Sequence, residues 1–189
     1  MTAISTTSSS ESSFDSGYLS RMFRDAMAQV VTPVTVVTGI QEEVPHGTTV
    51  SAFASLSLSP PMVVVSLDRT SELLSIVGRS GRFGVNVLGS AHSDVALRFA
   101  RKGGAAKFAD TRWLLDHRLP RLPNALGWLA CEIESMVDGG DHMVLLGKVL
   151  HADHPDGAPL TYHARSFGRD GGTVFSLHFG RCRPGLIPA

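Results

Sequence analysis

Apolar residues recur at three- and four-residue spacing at Leu19, Met22, Phe23, Ala26, Met27 and Val30. This spacing predicts an amphipathic helix with Arg21, Arg24 and Asp25 on its wet face. Asp15 or Ser16 can cap it, and Pro33 lies just past its end, where a proline cannot continue a helix. The period then shortens to that of strands. Val34 to Ile40 and Gly47 to Phe53 read as a hairpin joined by the turn Gln41-Glu-Glu-Val-Pro-His46. The rest of the stretch Gly47 to Pro61 reads as a polar, hydroxyl-rich loop that stops at a proline pair. Met62 to Asp68 predicts a strand apolar enough to be buried on both faces. Ser71 to Val77 predicts a short helix, capped by Thr70 or Ser71 and closed by Gly78 or Gly81.

Arg82 to Leu88 is a further predicted strand, and Ser93 to Ala100 a helix with Val95, Leu97 and Phe99 available for packing. Residues 101–110 read as a surface loop. Leu126 to Val137 and His142 to Ala152 form a long hairpin about Asp138-Gly-Gly-Asp141. Leu160 to His163 reads as a short strand, and the alternation of Phe175, Leu177 and Phe179 as a further edge strand or arm. About six or seven short strands, three short helices and hairpin-like connections predict a mainly β fold, a barrel rather than a doubly wound parallel sheet. Closing the barrel removes sticky sheet edges.

The chain of 189 residues is long enough for one domain with a sizeable core. Residues 1–16 are mostly Ser and Thr with little to bury, and are expected to be a disordered tail. The formal net charge of zero gives no footprint favouring nucleic acid or an anionic membrane. No apolar run approaches the ~18 residues of a membrane span, and no charged-then-apolar leader opens the chain. The expected location is the cytoplasm. The two cysteines, Cys131 and Cys182, have neither disulfide-framework nor zinc-knuckle spacing.

No Gly-x-Gly-x-x-Gly fingerprint, P-loop or Gly-x-Ser-x-Gly elbow is present. His151 and His154 are spaced like metal ligands, but a site needs further ligands on converging elements; they read as solvated histidines at a strand end, and no metal is expected. His142, at the mouth of the predicted hairpin, can orient a carboxamide or lend positive charge near neutral pH. Arg98-Phe99 and Lys107-Phe108 each set a cation beside a ring. Both pairs suit helix-face packing with a snorkelling stem, and both equally suit a phosphate beside a flat heterocycle.

In order and spacing, several stretches resemble the flavin reductase family, the short-chain FMN-binding split-barrel reductases of two-component flavin monooxygenases. They are Phe23 to Met27 leading into Thr35 to Thr38, Ser51 to Pro61, Ser66 to Ser71, Arg82 to Leu88, Arg98-Phe99, Lys107-Phe108 and Asp138 to His142. The resemblance covers about residues 20 to 167, taken as a domain of residues 17–167. Gly168 to Ala189 form an extension of unknown role. Pro33 stands where the family commonly has glycine, and the C-terminal aromatic–x–x–Gly–aromatic signature becomes Tyr162-His-Ala-Arg-Ser-Phe167, without its glycine.

The resemblance implies a six-stranded antiparallel Greek-key split barrel, usually a homodimer. It implies an NAD(P)H:flavin oxidoreductase that moves hydride from NADH or NADPH to FMN or FAD and supplies reduced flavin to a separate monooxygenase. The flavin-binding residues it implies are Pro45, His46, Gly47, Thr48, Thr49, Ser51, Ala52, Ser55, Ser66, Leu67, Asp68, Ser71, Arg98, Phe99 and Lys107. His142, as the catalytic residue, lies against the nicotinamide, with Tyr162, His163 and Arg165 as further nucleotide contacts. His142 acts by positioning, because the cofactor carries the hydride chemistry. The competing readings are a non-catalytic flavin-binding split-barrel protein and a split-barrel oxidase that uses another cofactor.

Overall fold

The computed structural model describes residues 16–169. The expected tail of residues 1–16, apart from Ser16, lies outside the described residues, as do most of the C-terminal extension and the strand expected at Phe175 to Phe179. In chain order the elements are α1 (Ser16–Met27), β1 (Thr32–Pro33), β2 (Thr35–Gln41), β3 (Val44–Val50), β4 (Phe53–Leu58), β5 (Pro61–Asp68) and α2 (Glu72–Ser80). After them come β6 (Arg82–Val87), α3 (Ser93–Ala100), a 3-10 turn (Gly104–Phe108), β7 (Leu114–Asp116) and β8 (Leu119–Arg121). β9 (Gly127–Gly139), β10 (His142–Asp153), β11 (Leu160–His163) and β12 (Ser166–Arg169) complete the described chain.

The main sheet is antiparallel and seven-stranded, in the order β3-β2-β6-β9-β10-β5-β4. Its two outermost strands, β3 and β4, are consecutive in the chain and joined by Ser51 and Ala52 alone. Two residues cannot span a flat seven-stranded sheet, whose strands lie ~4.8 Å apart. The sheet therefore curls until its ends meet at Ser51-Ala52. Ser66 N–H on β5 donates to Ala52 O at 3.0 Å across that meeting point.

The barrel is filled by Val37, Val50, Val63, Val65, Leu67, Phe83, Val85, Cys131 and Leu145, with Leu73 and Val77 of α2 closing one end. A second cluster, Val34, Val36, Leu88, Ala96, Phe99, Phe108, Leu122 and Leu160, packs outside β2. Adjacent residues Val36 and Val37 thus point into different cores, which explains the unbroken apolar run of β2. At Gly84 an added Cβ would lie 2.6 Å from Thr38 Oγ1 and closer still to the Trp128 ring, so glycine is required by space. Asn86, fully buried, donates to Val36 O at 3.2 Å and accepts from Leu122 N–H at 2.7 Å.

The structure corrects several boundaries. The first hairpin turn is only Glu42-Glu43, both with positive φ (51° and 65°), so β3 starts at Val44 and Val44-Pro-His46 belongs to the strand. Two glutamates in a left-handed turn carry no sequence signal for it. The hydroxyl-rich loop is the edge strand β4, whose alternation is hidden because most of its side chains are exposed. In α3 the buried residues are Ala96 and Phe99, whereas Leu97 is 49% exposed. The loop of residues 101–110 holds the 3-10 turn, and Phe108 at its end is buried edge-on against Phe99, with centroids 4.8 Å apart. The short strands β7, β8 and β12 carry too few residues for a periodic signal.

Candidate functional site

Where the sheet ends meet, a groove opens between β3, the start of β4 and the end of β5. It is lined by Thr48, Thr49, Val50, Ser51, Ala52, Ser66, Leu67, Asp68, Ser71 and His142. A cavity of ≈ 420 Å³ continues it past Thr48, Asp68 and Ser71 to His46, Gly47, Glu72, Arg101, Lys102, Gly103, Gly104 and Lys107. Antiparallel pairing of β5 with β10 sets His142 directly opposite Asp68, which is how residues more than seventy positions apart share one rim.

Asp68 is held as an anion. The Thr70 hydroxyl and backbone N–H both donate to it at 2.7 Å and keep its carboxyl below the usual aspartate range, helped by His142 and Lys102. The His142 ring contacts Asp141 Oδ1 through Nδ1 at 2.7 Å, and the residue lines the groove. Ser71, at the start of α2, makes no side-chain capping bond, and its hydroxyl has no hydrogen-bond partner among the described residues. Arg69 was not a sequence candidate. Its Nε donates to Gly140 O at 2.8 Å, Nη2 pairs with Asp138, and its backbone N–H donates to Asp141 O at 3.0 Å. One arginine thus clamps the Asp138–His142 turn to the end of β5. Its signal lay within the Ser66–Ser71 run, but the partners are about seventy residues away and no local pattern marks them.

Other candidates are placed differently. The Thr49 hydroxyl donates to Ala96 O at 2.7 Å and that of Thr48 to Phe99 O at 3.5 Å, so both tie β3 to α3. Lys107 Nζ donates to Gly47 O and Phe99 O, each at 3.1 Å; burial pushes its ammonium down while the Glu72 charge opposes the shift. Arg98 points away from this groove and donates to Asp110 O at 2.6 Å and Thr111 Oγ1 at 2.8 Å. Phe99 is core. Pro45 pairs with Ile40 in β3, Ser55 sits on the exposed edge strand, and His163 at the exposed β11–β12 turn. Tyr162 and Arg165 line a separate recess beside Thr49 and Ser51, with Leu97 and Phe167.

His46 is 9% exposed, and its buried Nδ1 has no hydrogen-bond partner among the described residues. An orphaned imidazole nitrogen, a free Ser71 hydroxyl and the cations Arg101, Lys102 and Lys107 in one groove fit a polar ligand with an anionic tail. Among the described residues no thiolate competes: Cys131 is buried and its pKa is pushed up to about 12. His151 stacks on His117 with ring centroids 4.3 Å apart. Among the described residues no three His, Cys, Asp or Glu side chains converge as metal ligands.

Barrel and groove together define a split-barrel protein built to hold a polar ligand where its sheet edges meet. Residues 27–169 match the flavin reductase like domain, and the chain belongs to that family. It is 38% identical over 154 residues to the FMN reductase (NADH) SmoA of Agrobacterium fabrum, covering 81% of this chain and 87% of that one. It is 36% identical to the reductase component of the 4-nitrophenol 4-monooxygenase/4-nitrocatechol 2-monooxygenase of Rhodococcus opacus, covering 77% of this chain and 78% of that one. Among solved structures it is similar to the Streptomyces globisporus NADH:FAD oxidoreductase SgcE6 in complex with NAD and FAD fragments. That likeness has a TM-score of 0.77 at 28% identity and covers 82% of this chain and 94% of that one.

Proposed function

We propose that the protein is an NAD(P)H:flavin oxidoreductase that reduces FMN or FAD and releases the product to a separate flavin-dependent monooxygenase. One observation carries the reading: Thr48–Ala52, Ser66–Asp68 with Ser71, and His142, drawn from three distant segments, line a single groove. Bound flavin supplies a two-electron acceptor for the nicotinamide hydride. The chain's own part is orientation. The β3–β4 link and the end of β5 grip the polar edge of the ring system, Ser71 and the cations beyond it face the ribityl phosphate, and His142, steadied by Asp141, orients the nicotinamide carboxamide. Tyr162 and Arg165, in the adjoining recess, take the remainder of the nucleotide.

The protein acts as a homodimer in the cytoplasm. The apolar face of α1 supports the dimer, because Leu19 (63%), Phe23 (62%) and Met22 (48%) are exposed. Among the described residues no helix is long and apolar enough to cross a membrane. The test is oxidation of NADH and NADPH followed at 340 nm with FMN, FAD and riboflavin. Flavin-dependent oxidation of at least one nucleotide is expected; none with any flavin would overturn the reading.

A further inference from the structure

The inner end of the groove contains an acid where the proposed ligand carries its own negative charge. Of the two carboxylates there, Asp68 is engaged by both donors of Thr70. Glu72, in the first turn of α2, is free of such a partner. Its Oε2 stands 3.7 Å from His46 Nδ1, and among the described residues that is its one ion-pair contact. The same oxygen lies 2.7 Å from where a Cβ on Gly104 would sit, so it reaches across to the backbone of the Gly103-Gly104 bend. Gly104 has φ +50°, and both the conformation and the approaching carboxylate favour glycine there. The charge of Glu72 also acts on Lys107.

Imidazole, ammonium and glycine-rich backbone are groups that receive a phosphate, and in this structure a glutamate oxygen stands beside the imidazole and the glycine bend, in the same cavity as the ammonium. We propose that Glu72 sets the affinity of the groove for phosphorylated flavin: its carboxylate occupies the phosphate seat between His46, Lys107 and Gly104, and the ligand must displace it. The inference rests on the flavin reading above and deepens it. Glu72 swings out, its side chain being 65% exposed, and its return favours departure of the ligand. Flavin then exchanges as a substrate instead of staying as a fixed group, which suits a protein that hands reduced flavin to another enzyme. His46 gains the partner its Nδ1 lacks when phosphate replaces carboxylate.

The test is equilibrium titration of wild type and Glu72→Gln with FMN, FAD and riboflavin, read by flavin fluorescence without turnover, after thermal melts establish that both are folded. Removing one like charge from a partly exposed seat is expected to lower the Kd of FMN, FAD or both by about three- to tenfold at low salt. The gain shrinks at high salt, and riboflavin, which has no phosphate, changes less than about twofold. Glu43→Gln, which removes the same charge at the far β2–β3 turn, leaves all three unchanged. Equal tightening of riboflavin, equal tightening in Glu43→Gln, or no change for FMN and FAD would each overturn the role of Glu72 while leaving the cradle intact. Failure of the wild type to bind any flavin would instead overturn the cradle reading, and this inference with it.

Discussion

His142 matters through where its ring is held. It opens β10 opposite Asp68, its Nδ1 is fixed on Asp141, and the turn before it is fastened by Arg69. In the proposed role such a ring orients the nicotinamide carboxamide, so its loss should be felt in nucleotide use more than in flavin binding. His142→Ala is expected to lower kcat/KM for the nicotinamide nucleotide about tenfold, or ~1.4 kcal/mol, with the FMN Kd changed less than about twofold. Arg69→Gln should shift the same ratio in the same direction by less, because it loosens the turn without removing the ring. Steady-state kinetics paired with flavin titration checks both, and equal kcat/KM in His142→Ala and wild type would remove the assigned role. Gly139-Gly140 marked the hairpin mouth at which His142 stands, while the role proposed for it came from the family resemblance. Arg69, Glu72 and the orphaned His46 nitrogen were not, because their significance lies in partners brought close only by the fold.

At the scale of elements, strands with an apolar pattern announced themselves and strands without one did not. β2, β5, β9 and β10 were legible from their β-branched and alternating runs, whereas β4 looked like a loop because an exposed edge strand needs no apolar face. Some residues that carry the family resemblance prove structural: Gly84 makes room for Trp128, and Asn86 ties β6 to Val36 and Leu122. The β7–β8 hairpin, missed in the sequence, is latched to β10 by Arg121, which pairs with both Asp116 and Asp153. Hydrogen bonding from Arg121, chiefly, holds the Asp153 carboxyl below its ordinary range, followed by the charge of Arg121, the backbone N–H of His154 and the charge of His151. A depressed folded-state value means the latch stabilises fully above the unfolded aspartate value of about 3.9 and is lost as pH falls through the lower folded one. Asp153→Asn should therefore melt below wild type at pH 7, and the gap in Tm should close as pH falls from about 4 toward 2. A gap that stays constant over that range would show that Asp153 contributes by packing alone.

For the whole molecule, the unresolved demand is the helix at its start. The periodicity of α1 was read correctly as amphipathic, yet among the described residues its apolar face is left open: Tyr18, Leu19, Met22, Phe23 and Met27 are all exposed. α1 is nevertheless anchored, since Ala164 N–H donates to Ala28 O at 2.8 Å and Arg165 pairs with Asp25. An anchored helix with an open apolar stripe, continued by Val30 and Val31, is a surface for burial. Stable pairs bury about 800 Å² on each partner, and a helix of 12 residues spans ~18 Å, so α1 and its neighbours are of the right size to contribute to such a contact. The proposed homodimer supplies the cover, and it sets Arg165 and Tyr162, beside the groove, close to the interface. Sedimentation velocity of the full chain is expected to give a dimer, and Phe23→Glu combined with Leu19→Glu should shift it toward monomer by about tenfold or more in dissociation constant. The melting curve of the double variant should still be cooperative, because neither side chain is part of a core. A monomeric wild type would overturn the dimer, and an unshifted double variant would move the interface away from α1.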